Sequence, residues 1–137
     1  MSVYLDTSAF VTVLDAKDPL HEVAKQTWKE LLLGDEPLVT ANYVVVETLA
    51  VVQRRLGMKA MRAFHEEICP ALNVQPVDEV THSAAAKSVL HANRRDLSFV
   101  DCASFEVMRR MGIDRVFCFD PHFSEAGFQV VQSALPG

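Results

Sequence analysis

Short apolar runs alternate along this chain with longer stretches in which apolar residues recur every three or four positions. Such runs are typical of strands buried on both faces, and the longer stretches are typical of amphipathic helices. The predicted strands are 3–5, 37–40, 72–75, 115–119 and 128–131. The predicted helices are 9–14, 20–33, 42–55, 58–68, 81–93 and 98–111. Strands that alternate with helices predict an α/β fold in which helices cover both faces of a parallel sheet.

Composition and charge indicate a single globular domain and disfavour a nonspecific duplex-binding protein or a membrane protein. The 137 residues suit one domain spanning 1–137, and a hydrophobic content of 50% suits a globular core. The formal charge of -5 has the wrong sign for nonspecific binding to duplex nucleic acid, so any such contact must be local. No basic and apolar leader and no membrane-length apolar run is present, which predicts a cytoplasmic protein without membrane contact. The three cysteines are far apart in apolar surroundings and are expected to be reduced.

Four acidic residues follow predicted strands or lie early in the helices after them. Asp6 and Asp120 come directly after the strands 3–5 and 115–119. Glu47 lies outside the apolar stripe predicted for helix 42–55, and Asp101 opens the helix 98–111. Asp6, Asp101 and Asp120 also suit helix capping, which is a sufficient explanation for each alone. Because parallel sheets bind ligands at the carboxyl ends of their strands, the conjunction predicts one shared site.

A shared acidic site implies a cation. Four carboxylates held together repel one another, and a divalent cation bound between them turns that repulsion into a net attraction. Oxygen ligands favour Mg²⁺ or Mn²⁺ over zinc. The sequence shows no zinc motif, since its histidines are dispersed. The histidines are His21, His65, His82, His91 and His122.

Several segments together resemble the PIN-domain nucleases, and within that family the VapC-type toxins of bacterial toxin–antitoxin pairs. The matching segments are Leu5-Asp6-Thr7-Ser8, the helix that holds Glu47, 97–102, 119–123 and 127–128. The resemblance implies about five parallel strands in an α/β/α arrangement and a Mg²⁺-dependent endoribonuclease with an RNA substrate. It further implies a cognate antitoxin and a homodimer. The family's acidic positions correspond to Asp6, Glu47, Asp101 and Asp120, and Cys118 stands where many members carry Thr or Ser.

Polar residues beside the four acids are secondary candidates. Thr7 and Ser8 could contact phosphate or support the metal, or could simply begin a helix. Asp96 could support the site from outside, although an ion pair with the neighbouring Arg94 or Arg95 is the more common arrangement. Four basic residues could form a local cationic patch suited to phosphates, or could simply be a solvated helix face. They are Arg54, Arg55, Lys59 and Arg62.

Two alternatives belong to other functional classes. One is a binding module of the same fold that lacks catalysis, which the presence of all four acids disfavours. The other is an aspartate-dependent phosphatase or receiver-like domain, because these also place Asp after the first strand. Ser8 stands where such a phosphatase would carry its second Asp, so this alternative is the weaker of the two.

Overall fold

Five parallel strands form a single sheet at the centre of the chain. The computed structural model describes residues 1–133. The strands are β1 (Val3–Leu5), β2 (Leu38–Ala41), β3 (Asn73–Gln75), β4 (Arg115–Phe117) and β5 (Gln129–Val130). Their order across the sheet is β3-β2-β1-β4-β5, and every pairing is parallel. The predicted parallel α/β fold is confirmed, with β1 in the middle position.

Seven α-helices connect and cover these strands within residues 1–133. They are α1 (Thr7–Leu14), α2 (His21–Leu33), α3 (Asn42–Arg55), α4 (Met58–Ala63), α5 (Glu79–Ala92), α6 (Phe99–Met111) and α7 (His122–Glu125). The helix predicted over 58–68 is regular only to Ala63, and the chain continues to Ile68 in a wider π-helical turn. None of the helices in the described part is long and apolar enough to cross a membrane.

The core surrounds β1 and fixes the helices that carry the acidic residues. Tyr4 of β1 is fully buried, and its hydroxyl donates to Ser104 Oγ of α6 at 2.8 Å. Thr48 of α3 is also fully buried and donates to Thr7 Oγ1 at 3.1 Å. These buried polar contacts hold α3 and α6 against the end of β1, where the chain turns into α1.

Candidate metal centre

The carboxyl ends of β1 and β4 open into a cleft of about 400 Å³. The two ends are joined by the Asp6 backbone N–H, which donates to Phe117 O at 3.1 Å. All four predicted acids face this cleft, together with the three secondary candidates Thr7, Ser8 and Asp96. The other lining residues are Val11, Thr12, Asp18, Val51, Arg55 and Ser98.

Asp6 lies at the bottom of the cleft and is almost inaccessible to solvent, with an exposure of 3%. It caps α1, since the Ser8 backbone N–H and hydroxyl both donate to Asp6 Oδ2, at 3.2 and 2.7 Å. Burial, reinforced by the charges of Asp101 and Asp120, raises the pKa of Asp6 from 3.8 to about 7. Asp6 is therefore a helix cap, as the sequence suggested, and its carboxylate also faces the acidic cleft.

Ser8 connects the two strand ends through its hydroxyl group. The hydroxyl donates to Asp6 and accepts from the Phe119 backbone N–H at 2.9 Å, just after β4. One side chain thus orients the first acid and anchors the segment that leads to Asp120. Ser8 thus begins α1 and also contacts both strand ends that border the cleft.

Asp101 opens α6 through a complete capping box. Its backbone N–H donates to Ser98 Oγ at 3.0 Å, and its Oδ2 accepts from the Ser98 backbone N–H at 3.2 Å. Burial, followed by the charge of Asp120, raises the pKa of Asp101 to about 6. A capping carboxylate in a solvated turn would ordinarily have a lowered pKa, so the upward direction reflects the buried and acidic surroundings.

Asp120 lies in the turn after β4, and its Oδ1 accepts from the His122 backbone N–H at 2.8 Å. Cys118 is buried, and its thiol donates to the Asp120 carbonyl oxygen at 3.6 Å. Burial raises the pKa of Cys118 to about 12, which keeps the thiol neutral. The residue in place of the more usual Thr or Ser therefore still donates to the turn that presents Asp120.

The ring of His122 lies among the acids of the cleft. Its Nδ1 lies 2.6 Å from Asp120 Oδ1 and 3.5 Å from Asp101 Oδ2, while its Nε2 lies 3.1 Å from Asp96 Oδ2. The hydrogen bond to Asp96 and the charges of Asp120 and Asp101 raise the pKa of His122. His122 was not among the site residues predicted from the sequence, yet its ring lies against three of the cleft's acids. The sequence signal was its position two residues after Asp120, but that spacing alone does not show which way the ring turns.

Asp96 is held by Arg94 and touches the site through His122. Arg94 donates to both of its carboxylate oxygens, at 2.8 and 3.3 Å, and also contacts Glu125 of α7 at 3.4 Å. The predicted ion pair with arginine is confirmed for Arg94. This pairing and the His122 contact lower the pKa of Asp96 well below its usual range.

Glu47 reaches the cleft from α3. It is half-buried and lies one helical turn from Val51, which also lines the cleft. The most buried residues of α3 are Val44, Thr48 and Val52, and Val45 and Leu49 of the predicted stripe pack against the core beside them. The core-facing surface of α3 is therefore broader than the predicted stripe, Glu47 lines the cleft beside it, and Thr48 contacts α1.

The donor set fits a divalent cation. Ligand atoms from Asp101, Asp120 and His122 lie within 4.8 Å of one another. The Nδ1 atom of His122 is buried and has no hydrogen-bond partner among residues 1–133. Crowded carboxylates, of which Asp101 has a raised pKa, beside an unsatisfied nitrogen are an arrangement that a cation would stabilise. Glu47 and Asp6 face the same cleft, but lie outside this tightest group.

Comparisons with known proteins agree with this architecture. Residues 3–129 match the PIN domain family. Over 132 residues the chain is 33% identical to the 23S rRNA-specific endonuclease VapC20 of Mycobacterium tuberculosis, which spans 95% of this chain and 98% of that protein. Over 128 residues it is 24% identical to a VapC ribonuclease of Aquifex aeolicus, spanning 93% of each.

A solved structure of a VapC protein is also similar to this chain in three dimensions. The crystal structure of Mycobacterium tuberculosis VapC20 has a TM-score of 0.86 and 32% sequence identity, covering 96% of this chain and all of that one. The match includes the central sheet and the helices that line the cleft, because it extends over nearly every described element. From its sequence, its fold and its acidic cleft, this chain belongs to the PIN-domain family, and within that family to the VapC-type ribonucleases.

Proposed function

We propose that residues 1–137 form one nuclease domain that hydrolyses RNA phosphodiester bonds with Mg²⁺ held by Asp6, Glu47, Asp101 and Asp120. Mn²⁺ is the alternative ion. The observation that carries the proposal is the convergence of four acids on one cleft, two of them buried with raised pKa values. Buried carboxylates held close together destabilise a fold, so their presence calls for a function.

The chain's own residues have distinct tasks in this proposal. A bound divalent cation supplies Lewis acidity toward the phosphodiester and the attacking water. Asp6 and Asp101 present carboxylate oxygens from rigid helix starts, because Ser8 and Ser98 fix their orientation. Thr7 adds a hydroxyl at the same edge, where the cleft would bring it near a substrate phosphate.

A cationic rim supports binding of the RNA backbone. Arg55 lines both the acidic cleft and a neighbouring groove of about 620 Å³, which Lys17 and Lys59 also line. Arg62 pairs with Glu66 at 3.8 Å on the solvent-exposed face, so it is less available to a phosphate. Positive side chains next to a metal centre position phosphates without reading the base sequence.

Ribosomal RNA is the substrate we propose to test first. The M. tuberculosis relative is named for cleavage of 23S rRNA, and its crystal structure is described as that of a toxin that cleaves the sarcin–ricin loop. That relative matches this chain over nearly its full length, including the segments that form the cleft. The relationship supports both an rRNA substrate and the role of a type II toxin for this protein.

A cognate antitoxin and a homodimer complete the proposal. Both follow from the VapC relationship, and light scattering of the purified chain tests the dimer directly. A mass twice that of the 15.2 kDa chain is expected. A monomeric mass at micromolar concentration would contradict the dimer without affecting the proposed chemistry.

The decisive experiment compares wild type with Asp6→Asn on labelled 23S rRNA, with Mg²⁺ and with EDTA. Loss of the Asp6 charge should reduce cleavage by about 100-fold or more, and EDTA should abolish it. Asp35→Asn is the matched control, since it removes an exposed acid far along the chain from every residue that lines the cleft.

Two outcomes would contradict the proposal. Equal cleavage by wild type and Asp6→Asn would assign the activity to a contaminating nuclease. Absence of cleavage by folded, metal-loaded wild type on any RNA would favour the binding-module alternative. Induced expression adds a cellular readout, because wild type should arrest bacterial growth and Asp6→Asn should not.

A further inference from the structure

The position of the His122 ring leaves one of its nitrogens without a conventional partner. Its Nδ1 is buried and lies 2.6 Å from Asp120 Oδ1 and 3.5 Å from Asp101 Oδ2. Neither oxygen satisfies hydrogen-bond geometry with this nitrogen. Electronegative atoms held so close without a shared hydrogen repel one another. Either a proton on Nδ1 or a bound cation offsets that repulsion: the proton fits the raised pKa of the ring, and the cation fits the three ligand atoms that lie within 4.8 Å of one another.

The other ring nitrogen does have a partner. Nε2 lies 3.1 Å from Asp96 Oδ2, and Arg94 holds that carboxylate through both of its oxygens. A carboxylate can only accept, so Nε2 carries the hydrogen and donates it. In the neutral ring, Nδ1 then carries an in-plane lone pair. A carboxylate that orients a histidine in this way is the usual outer support of a metal-ligating histidine.

We infer that His122 Nδ1 is a ligand of the divalent cation, together with Asp101 and Asp120, and that Asp96 is the residue that orients its ring. The inference rests on the proposed function, because it concerns the same metal centre. It changes the chemistry of that centre from oxygen ligands alone to a mixed nitrogen and oxygen set. Arg94 contributes indirectly by fixing Asp96 and by contacting Glu125 on the helix that begins with His122.

A nitrogen ligand alters the metal preference. Imidazole binds the later first-row metals more strongly than it binds Mg²⁺, whereas carboxylates alone discriminate less. The wild-type protein is therefore expected to bind Mn²⁺ and Co²⁺ more tightly than Mg²⁺. His122→Asn should reduce Mn²⁺ affinity about tenfold more than Mg²⁺ affinity, because the amide can supply an oxygen but no imidazole nitrogen.

The direct test is pulsed electron paramagnetic resonance of Mn²⁺ bound to the full chain. A coordinated histidine nitrogen couples strongly to the Mn²⁺ electron spin, and the coupling pattern changes when the protein is labelled with ¹⁵N-histidine. We expect this coupling in wild type and its loss in His122→Asn. His91→Asn, a change at an exposed histidine of α5, is the matched control and should retain it.

The orienting role proposed for Asp96 is tested separately, by measuring Mn²⁺ affinity together with the nitrogen coupling. Asp96→Ala should keep the nitrogen coupling but weaken Mn²⁺ binding by about tenfold, as loss of an outer support commonly does. Asp35→Asn serves as the charge control. An Mn²⁺ affinity of Asp96→Ala equal to that of wild type would overturn this part of the inference.

The outcomes separate this inference from the function on which it rests. If Mn²⁺ binds and supports RNA cleavage but shows no histidine coupling, the His122 ligand is disproved and the nuclease stands. If the coupling persists in His122→Asn, another histidine is the ligand and the inference is wrong. If folded wild type binds no Mn²⁺ at all, both this inference and the proposed metal centre fail.

Discussion

Asp6 is the acid of the cleft whose ionisation most strongly opposes folding. Its carboxyl group is buried between Asp101 and Asp120, and its raised pKa of about 7 means that ionisation at neutral pH opposes folding. Ser8 offsets only part of that cost through its two hydrogen bonds. Stability and activity therefore make opposite demands on this position, as is common for functional residues.

Asp6→Asn should stabilise the metal-free protein at neutral pH while it abolishes cleavage. The amide keeps an acceptor for Ser8 and adds a donor that faces Asp101 and Asp120, so like-charge repulsion disappears. We expect the melting temperature in EDTA to rise by roughly 5 °C at pH 8. Thermal unfolding measures this change, with Asp35→Asn as the control. A lower melting temperature for Asp6→Asn would show that the buried charge does not oppose folding.

At the scale of single elements, α6 combines a structural and a functional task in its first turn. The Ser98 and Asp101 capping box satisfies two backbone N–H groups, and the same Asp101 carboxylate faces the cleft. The helix is anchored behind that turn by the contact between Ser104 and Tyr4. The cap therefore determines where Asp101 can present its free oxygen.

Ser98→Ala should weaken both the fold and metal binding. Loss of the cap hydroxyl costs about 1 kcal/mol, which corresponds to a decrease of about 4 °C in melting temperature for a chain of this size. Mg²⁺ affinity should also fall, because the first turn of α6 loosens around Asp101. Calorimetry checks both quantities. Ser98→Thr retains a capping hydroxyl, so its melting temperature and Mg²⁺ affinity should remain close to those of wild type. If both fall as far as in Ser98→Ala, a change in packing rather than the loss of the cap causes the effect.

For the whole molecule, the acidic cleft makes stability depend on pH and on metal. Asp6 and Asp101 have folded pKa values of about 7 and about 6, above the ordinary value of 3.8. In the metal-free protein the unfolded chain releases these protons at lower pH than the fold does. The stabilisation that the protonated Asp6 and Asp101 give the fold is therefore complete below about pH 4, and it is lost as the pH rises to about 7.

Melting curves recorded in EDTA should accordingly shift to lower temperature between about pH 5 and pH 8. Millimolar Mg²⁺ should offset much of that loss at pH 8, because a cation that binds only the folded state raises its stability. Asp6→Asn should show a smaller pH dependence and a smaller response to Mg²⁺. Identical curves with and without Mg²⁺ at pH 8 would contradict a shared cation site at these acids.

The local pattern of the sequence was sufficient for the fold and for the acidic positions. Short apolar runs between amphipathic stretches are typical of a covered parallel sheet, and the strand order seen in the structure brings the ends of β1 and β4 together. The Ser98 capping box was also readable, since its residues are three apart. Features that depend on neighbours along the chain were thus determined by the sequence itself.

Only the tertiary structure decided how the side chains meet. The burial of Thr48 in α3 depends on its hydrogen bond to Thr7, 41 positions away, and a stripe of apolar residues does not specify a buried polar one. The place of His122 depends on Asp96, 26 positions away, and on a short helix that turns the ring inward. Sequence periodicity records which face of an element is apolar, but contacts between distant polar groups arise only when the elements pack.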